Sequence, residues 1–451
     1  MASLGGHARF ATRATIAAPS RRRHASAWLA HPIRRPTSRS SRVARPGPNP
    51  RGLCVSRLAA AASDDRAPAA AQDDGPDVVF EFDDFDDDET WDVIESFDED
   101  ELYELNASRS DADADDTYFD SYSHLGIHRE MIGDAARTGA YLDAIEAHRP
   151  QIEGKVVLDV GCGTGILSMF AARCGARKVY AVDASGITRH TRRLVKDNGF
   201  DGTIEVIKGK MEDVDIPEKV DVIVSEWMGY ALLFESMLPS VVDARDRFLA
   251  PGGLVLPDEA AVKVALLSDR DRWDGAVTFW EDVYGLDFSA LIPAAKRDWH
   301  ADPPVQTVPA DKLASEPVDA IEPIDCARVP LERLYEPIAG DVRMVASRTC
   351  DVHGLALWFD VDFYGKVKLS TGPDADSTHW YQTVLMFDEP VAMREGDALC
   401  GTIELEPGAN PGERRTLNVY FNYDVVEGGK EEEDGLVEPD DRERFQRWTV
   451  Q

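Results

Sequence analysis

The chain has 451 residues, with 49 Lys and Arg against 83 Asp and Glu, a formal net charge of −34, and 43% hydrophobic residues. That length suits two or three domains with sizeable cores. No run approaches the ~18 uninterrupted apolar residues of a membrane span, and so acidic a chain is poorly matched to nucleic acid, whose binding rests on Lys and Arg neutralising phosphates. Neither a membrane nor a nucleic acid is therefore expected as a partner, whereas a cationic protein is. The six cysteines are scattered, with no CxxC pair. No metal site, no disulfide framework and a reducing compartment follow as expectations.

In chain order, residues 1–63 contain no Asp, Glu or Lys but twelve Arg, with many Ser and Ala. This composition resembles an organelle transit peptide, ending in the small residues after Cys54, and lacks the apolar core of a secretory signal. A plastid, or a mitochondrion, is the expected destination if the leader targets; otherwise the expectation is cytoplasm and nucleus. A basic tail without targeting function is the competing reading. From Asp73 to Asp116 the charge reverses, and Arg109 is the single base among crowded acids. Residues 64–116 are thus expected to be a disordered acidic linker. Phe80, Phe82, Phe85, Trp91 and Phe97 interrupt it, and Trp91–Phe97 has the makings of a short amphipathic helix. A docking role for it is weighed against a plain solubilising one.

The globular part begins at Thr117. Val156–Val160 is an apolar, β-branched run of the kind a buried parallel strand requires. Gly161-Cys-Gly-Thr-Gly165 follows, then a helical pattern from Ile166 to Cys174, and a second strand, Lys178–Asp183, ending in an acid. Strand, glycine turn, helix, strand and acid make a nucleotide-binding βαβ unit. The spacing is GxGxG, and not the GxGxxG that brings a pyrophosphate to a helix N-terminus. Further strands are expected at Ile204–Ile207, Val220–Val224 and Leu254–Leu256, giving a doubly wound sheet. After Pro257, runs such as Leu355–Phe363, Thr383–Phe387 and Leu417–Phe421 alternate as antiparallel strands do, predicting a β-barrel or sandwich.

Between the fourth strand and the next helix lies Ser225-Glu-Trp-Met-Gly-Tyr-Ala-Leu-Leu-Phe-Glu-Ser-Met-Leu238, in which Glu226 and Glu235 bracket an apolar, aromatic loop. It falls at the sheet edge where open α/β folds bind ligands. Buried acids need a cation; with no Lys or Arg adjacent in sequence, the expected cation is the substrate. Ser377-Thr-His-Trp-Tyr-Gln382 and Tyr118-Phe-Asp-Ser-Tyr-Ser-His-Leu-Gly-Ile-His-Arg-Glu-Met131 complete the set. With these motifs, in this order from Thr117 to Gln451, the chain closely resembles the protein arginine methyltransferases, and specifically their type I members.

The resemblance implies a class I methyltransferase, Rossmann-like α/β sheet over 117–257. It is followed over 258–451 by an antiparallel β-barrel with a helical dimerisation arm at about 271–302, hence a homodimer. It implies S-adenosyl-L-methionine as cofactor, contacted by His128, Arg137, Gly161, Gly163, Asp183 and Glu212. Arg137 would pair with the cofactor's carboxylate, Asp183 would accept from its ribose hydroxyls, and Glu212 would lie near its adenine amine. Glu226 and Glu235 would grip the target guanidinium, with Tyr118, Tyr122, Met131, Met237 and Trp380 lining the substrate pocket. His379, paired with Asp134, would accept a proton or would hold the N-terminal helix on the barrel. The products would be monomethyl and asymmetric dimethylarginine on Arg-rich or Gly-Arg-rich proteins. A catalytically silent arginine-binding scaffold of the same fold is the alternative. The acidic insertion from Glu427 to Asp441 matches no family residue and is expected to be a surface loop before a last strand at about 445–450.

Overall fold

The computed structural model describes residues 118–408, 415–428 and 444–450. The leader, the acidic segment with Trp91–Phe97, and residues 429–441 of the acidic insertion lie outside them.

A helical turn over 118–121 precedes α1 (Leu125–Gly133) and α2 (Ala135–Ala147). Asp134 separates the two helices. It caps α2 by accepting the Arg137 backbone N–H at 3.0 Å, which satisfies one of the donors a helix start leaves unpaired.

There follow β1 (Val156–Val160), α3 (Ile166–Arg173), β2 (Lys178–Asp183), α4 (Thr188–Asp197), β3 (Ile204–Lys208), β4 (Val220–Val224), α5 (Leu238–Phe248) and β5 (Leu249–Leu256). Their strands form one parallel sheet in the order β3-β2-β1-β4-β5. Every residue of β1 is buried, as a central strand covered on both faces requires. Chain direction across the sheet reverses between β1 and β4, the switch point outside which such folds bind ligands. Register aligns Val160 with Val182, and Asp159 with Val224. The glycine loop, Asp183 and Glu226 therefore emerge at one edge.

The peptide Leu256–Pro257 is cis, and antiparallel structure begins at β6 (Glu259–Leu267). Two helices, α6 (Arg270–Ala276) and α7 (Ile292–Ala301), come next. After them run β7 (Val305–Gln306), β8 (Val318–Asp319), β9 (Ile324–Asp325), β10 (Ile338–Val345), β11 (Cys350–Asp362), β12 (Lys368–Ser370), β13 (Gln382–Met393), β14 (Ala398–Pro407), β15 (Leu417–Val426) and β16 (Arg444–Val450). One sheet runs β10-β14-β15-β16 and the other β7-β13-β11-β6-β8, with β12 on β11 and β9 on β6. Phe359, Phe387, Phe421 and Trp448 are fully buried within this barrel-like half.

In β15 burial alternates as expected, but β11 is buried along nearly its whole length. The cause is a second small core: Trp273 and Val277 from the arm's root cover Ala356, Trp358, Val384 and Met386 on the outer face, with Trp299 packed against them. The arm expected at about 271–302 is thus divided into a packed root and an exposed tip. Trp273 and Trp299 meet at 5.9 Å and anchor it, whereas Phe279, Tyr284, Leu286 and Phe288 at the tip are exposed, Tyr284 completely.

Candidate active site

Behind β1 the glycine loop needs its glycines. Gly161, Gly163 and Gly165 take φ of +73°, +51° and +81°, values that side chains other than glycine rarely adopt. Space is also tight: a Cβ on Gly161 would fall 2.2 Å from Met237 Cε, so that the methionine would have to move, and one on Gly163 would press on His128 Cε1 at 3.3 Å. Asp183 fastens the loop, accepting the Gly163 N–H at 2.8 Å on Oδ2 and the Ser185 N–H and hydroxyl at 2.8 and 2.7 Å on Oδ1. His128 Nε2 lies 2.8 Å from the Tyr122 carbonyl, and Glu212 accepts the Ser240 hydroxyl at 2.6 Å. Beneath the loop, the buried Asp159 accepts from Ser168 at 2.6 Å, and burial pushes its carboxyl up to about 7.

The loop after β4 is unusual in its backbone. Ala231, Leu232, Glu235 and Ser236 all have positive φ, between 48° and 72°, at on the order of 1–2 kcal/mol per residue. Gly229 permits the tight fold, since a Cβ there would lie 2.0 Å from the Phe234 carbonyl. Surrounding elements hold the rest. Tyr141 donates to the Ser225 carbonyl at 2.8 Å, Trp380 Nε1 to the Met228 carbonyl at 3.0 Å, and the Glu235 N–H to the Arg415 carbonyl at 2.9 Å.

This fold brings both glutamates to one cavity. Arg137 donates Nε and Nη2 to Glu226 Oε2 at 3.0 and 2.6 Å, and the Met228 N–H reaches Oε1 at 3.1 Å. The expectation that Glu226 finds its cation only in the substrate is therefore corrected. The cation comes from α2, 89 residues earlier, a distance that hides it from any reading of sequence neighbours. Glu235 is different: Tyr118 and Tyr122 each donate to its Oε2 at 2.8 Å, and among the described residues no hydrogen bond is made to Oε1. Burial and, less strongly, the Glu226 charge raise the Glu235 carboxyl above the usual range, against the pull of the two phenols and Arg415.

His379 lies at the same cavity, its Nδ1 2.7 Å and its backbone N–H 2.9 Å from Asp134 Oδ2. Burial works to raise Asp134, but these bonds and that from Arg137 bring its carboxyl below the ordinary range. The Trp380 ring lies 4.2 Å from that of His379, tilted by 36°.

The cavity measures about 240 Å³, and Tyr118, Tyr122, His128, Met131, Arg137, Gly161, Gly163, Asp183, Glu212, Glu226, Glu235, Met237, His379 and Trp380 all line it. Sequence reasoning missed Ser240, Phe119 and Arg415, which line it as well. Phe119 lay inside a recognised motif without a role. Arg415 has no local signal, because it reaches Glu235 across 180 residues.

Two family models match the chain: an arginine methyltransferase oligomerization subdomain over residues 258–428 and a methyltransferase domain over 157–253. The probable protein arginine N-methyltransferase 6.1 of Oryza sativa subsp. indica is 42% identical over 69% of this chain and 88% of its own length. Protein arginine N-methyltransferase 1 of Schizosaccharomyces pombe is 44% identical over 69% of this chain and 90% of its own. Among solved structures, the Trypanosoma brucei PRMT1 enzyme–prozyme heterotetrameric complex with AdoHcy aligns at a TM-score of 0.65 and 37% identity, covering 74% of this chain and 100% of that one. Arabidopsis thaliana protein arginine methyltransferase 10 aligns at 0.63 and 32%, covering 73% and 99%.

Proposed function

The chain belongs to the protein arginine methyltransferase family, and from that premise we propose that Glu226 and Glu235 hold a protein arginine while one of its nitrogens receives a methyl group. The enzyme uses S-adenosylmethionine and forms monomethylarginine and then asymmetric dimethylarginine. The observation that carries the residue assignment is the pair of carboxylates at the two ends of one strained loop, both facing one cavity.

The cavity fits the cofactor. Gly161 and Gly163 form a cradle that a Cβ would fill, and Arg137 has further N–H groups beyond the two that meet Glu226. His128, Arg137, Gly161, Gly163, Asp183 and Glu212 would hold it. When bound, S-adenosylmethionine supplies an electrophilic methyl on a sulfonium, which is a good leaving group.

The protein's own residues do the rest. A guanidinium, with a pKa above ~12, stays protonated near neutral pH. Deprotonation therefore cannot activate it, but two carboxylates can draw its positive charge to one side and leave a nitrogen richer in electrons. Glu226 keeps Oε2 on Arg137 and takes the Met228 N–H on Oε1, while Glu235 keeps Oε2 on the two tyrosines, so Glu235 Oε1 and the second lone pair of Glu226 Oε1 are the acceptors for the substrate. Fixed orientation supplies much of the rate, roughly 7–11 kcal/mol for well-aligned reactants. Met131 and Met237 limit the space beside the acceptor and direct the second methyl to the same nitrogen. His379 donates Nδ1–H to Asp134, which leaves Nε2 with a lone pair for the released proton.

Residues 117–257 would form the cofactor half and 258–451 the substrate half. The exposed arm tip, with Phe279, Tyr284 and Leu286, is the contact of a homodimer, since so much uncovered apolar surface is otherwise a liability. The excess of acid favours Arg-rich and Gly-Arg-rich proteins. Labelled methyl transfer to a Gly-Arg-rich peptide, beside its Gly-Lys counterpart, tests the reading. Label in the arginine peptide alone, abolished by Glu235→Gln, is the expected result; label in neither peptide contradicts it.

A further inference from the structure

Glu235 must keep its place in a loop whose backbone four residues disfavour, so a holder outside the loop is required. We propose that Arg415, from the segment between β14 and β15, is a positioning residue that fixes Glu235 and latches the 118–122 turn over it. The inference rests on the reading of Glu235 as a substrate-gripping carboxylate.

Three contacts carry it. The Arg415 carbonyl accepts the Glu235 N–H at 2.9 Å, and Arg415 Nη1 donates back to the Glu235 carbonyl at 2.9 Å. The guanidinium carbon lies 3.5 Å over the Tyr118 ring and 5.2 Å from that of Phe119. Tyr118 closes the circuit by donating to Glu235 Oε2 at 2.8 Å. One residue of the barrel thus joins the catalytic loop to the N-terminal turn. Any residue at 415 offers the carbonyl. The Nη1 bond and the planar cation on the ring need arginine, whose flat guanidinium both stacks and donates.

The charges around Glu235 give the cation a second consequence. Glu226, Tyr118, Tyr122 and Arg415 act on its carboxyl, and Tyr230 lies near it. Arg415 is the cation in that set, because Arg137 is engaged by Glu226. Its charge opposes the protonation that burial favours.

The test compares Arg415→Ala, Arg415→Lys and Tyr118→Phe, singly and as the Arg415→Ala/Tyr118→Phe double variant. Peptide methylation is followed from about pH 4.5 to pH 9, where an acid limb reports the base that must be ionised. Arg415→Ala is expected to lose roughly tenfold or more in kcat/KM, as loss of a charged hydrogen bond and a cation–π contact implies. Its acid limb moves to higher pH, so part of the loss is regained in alkali. Arg415→Lys restores the limb but not the full kcat. Tyr118→Phe adds little once Arg415 is gone, since both act through one circuit. Kinetics within twofold of the parent with an unmoved limb, or a pH-independent loss additive with Tyr118→Phe, would overturn the proposal. If Arg415→Ala does not fold, the decision rests on Arg415→Lys, whose kcat must fall while its melting temperature holds. An active Glu235→Gln would instead sink the reading of Glu235 and leave the latch a matter of structure.

Discussion

At Glu235 the proposed grip on arginine depends on a single proton. Its carboxyl is raised above the ordinary glutamate range by burial and by Glu226, and only its ionised form can grip a guanidinium. Activity must therefore fall on the acid side, with a limb above the ~4.3 of free glutamate. A kcat/KM profile against pH checks this, and a limb at or below that value contradicts it. Asp159 gives a stability prediction of opposite bearing. Burial pushes its folded carboxyl up to about 7 from an ordinary 3.8, so the folded state binds the extra proton between those values. Its contribution is complete below about pH 4 and is lost as pH rises to about 7. The advantage of Asp159→Asn over the parent in chemical denaturation should grow across that window and be level above it. Many residues of the cavity were legible because the motifs around them match those of the family the chain resembles. The Arg137–Glu226 pair and Arg415 were not, because sequence separation carries no trace of a contact made by folding.

Elements were legible to the degree that their environment is uniform. The strand Val156–Val160 has the predicted bounds, since a strand covered on both faces is one apolar run between polar ends. By contrast β5 begins five residues before the expected Leu254, because Pro251, Gly252 and Gly253 read as a turn yet lie within a strand whose register shifts there. The glycine loop permits a direct test. Gly161→Ala meets Met237 Cε and an unfavourable φ together, and should weaken cofactor binding by roughly tenfold or more, as ~1–2 kcal/mol of backbone strain plus a clash implies. Calorimetric titration with S-adenosylhomocysteine reads it; unchanged affinity means the loop is not the cradle. In the arm, root and tip should separate. Trp273→Ala empties a packed core and should cost about 3–5 kcal/mol in denaturant unfolding. Tyr284→Ser at the exposed tip should leave that stability within about 0.5 kcal/mol and lower the association state seen by sedimentation. A tip variant that destabilises the fold and leaves association intact would refute this division.

For the molecule as a whole, charge and architecture act together. The parallel half brings four loops to one edge and the antiparallel half contributes His379, Trp380 and Arg415, so neither half encloses the cavity alone. A net charge of −34 would favour the Arg-rich substrates proposed above through a field that salt screens over ~10 Å at 0.1 M. The KM for a Gly-Arg-rich peptide should therefore rise severalfold between about 50 and 300 mM salt while kcat changes little. A KM indifferent to salt would place recognition in the pocket alone.

The central claim is that two carboxylates in one cavity direct methyl groups to a single arginine nitrogen. The most direct measurement is fragmentation mass spectrometry of a fully methylated Gly-Arg-rich peptide, with Glu226→Gln and Glu235→Gln as controls. The account predicts asymmetric dimethylarginine, both methyls leaving together on one nitrogen, and none from either control. Symmetric dimethylarginine, or undiminished product from a glutamine variant, would contradict it.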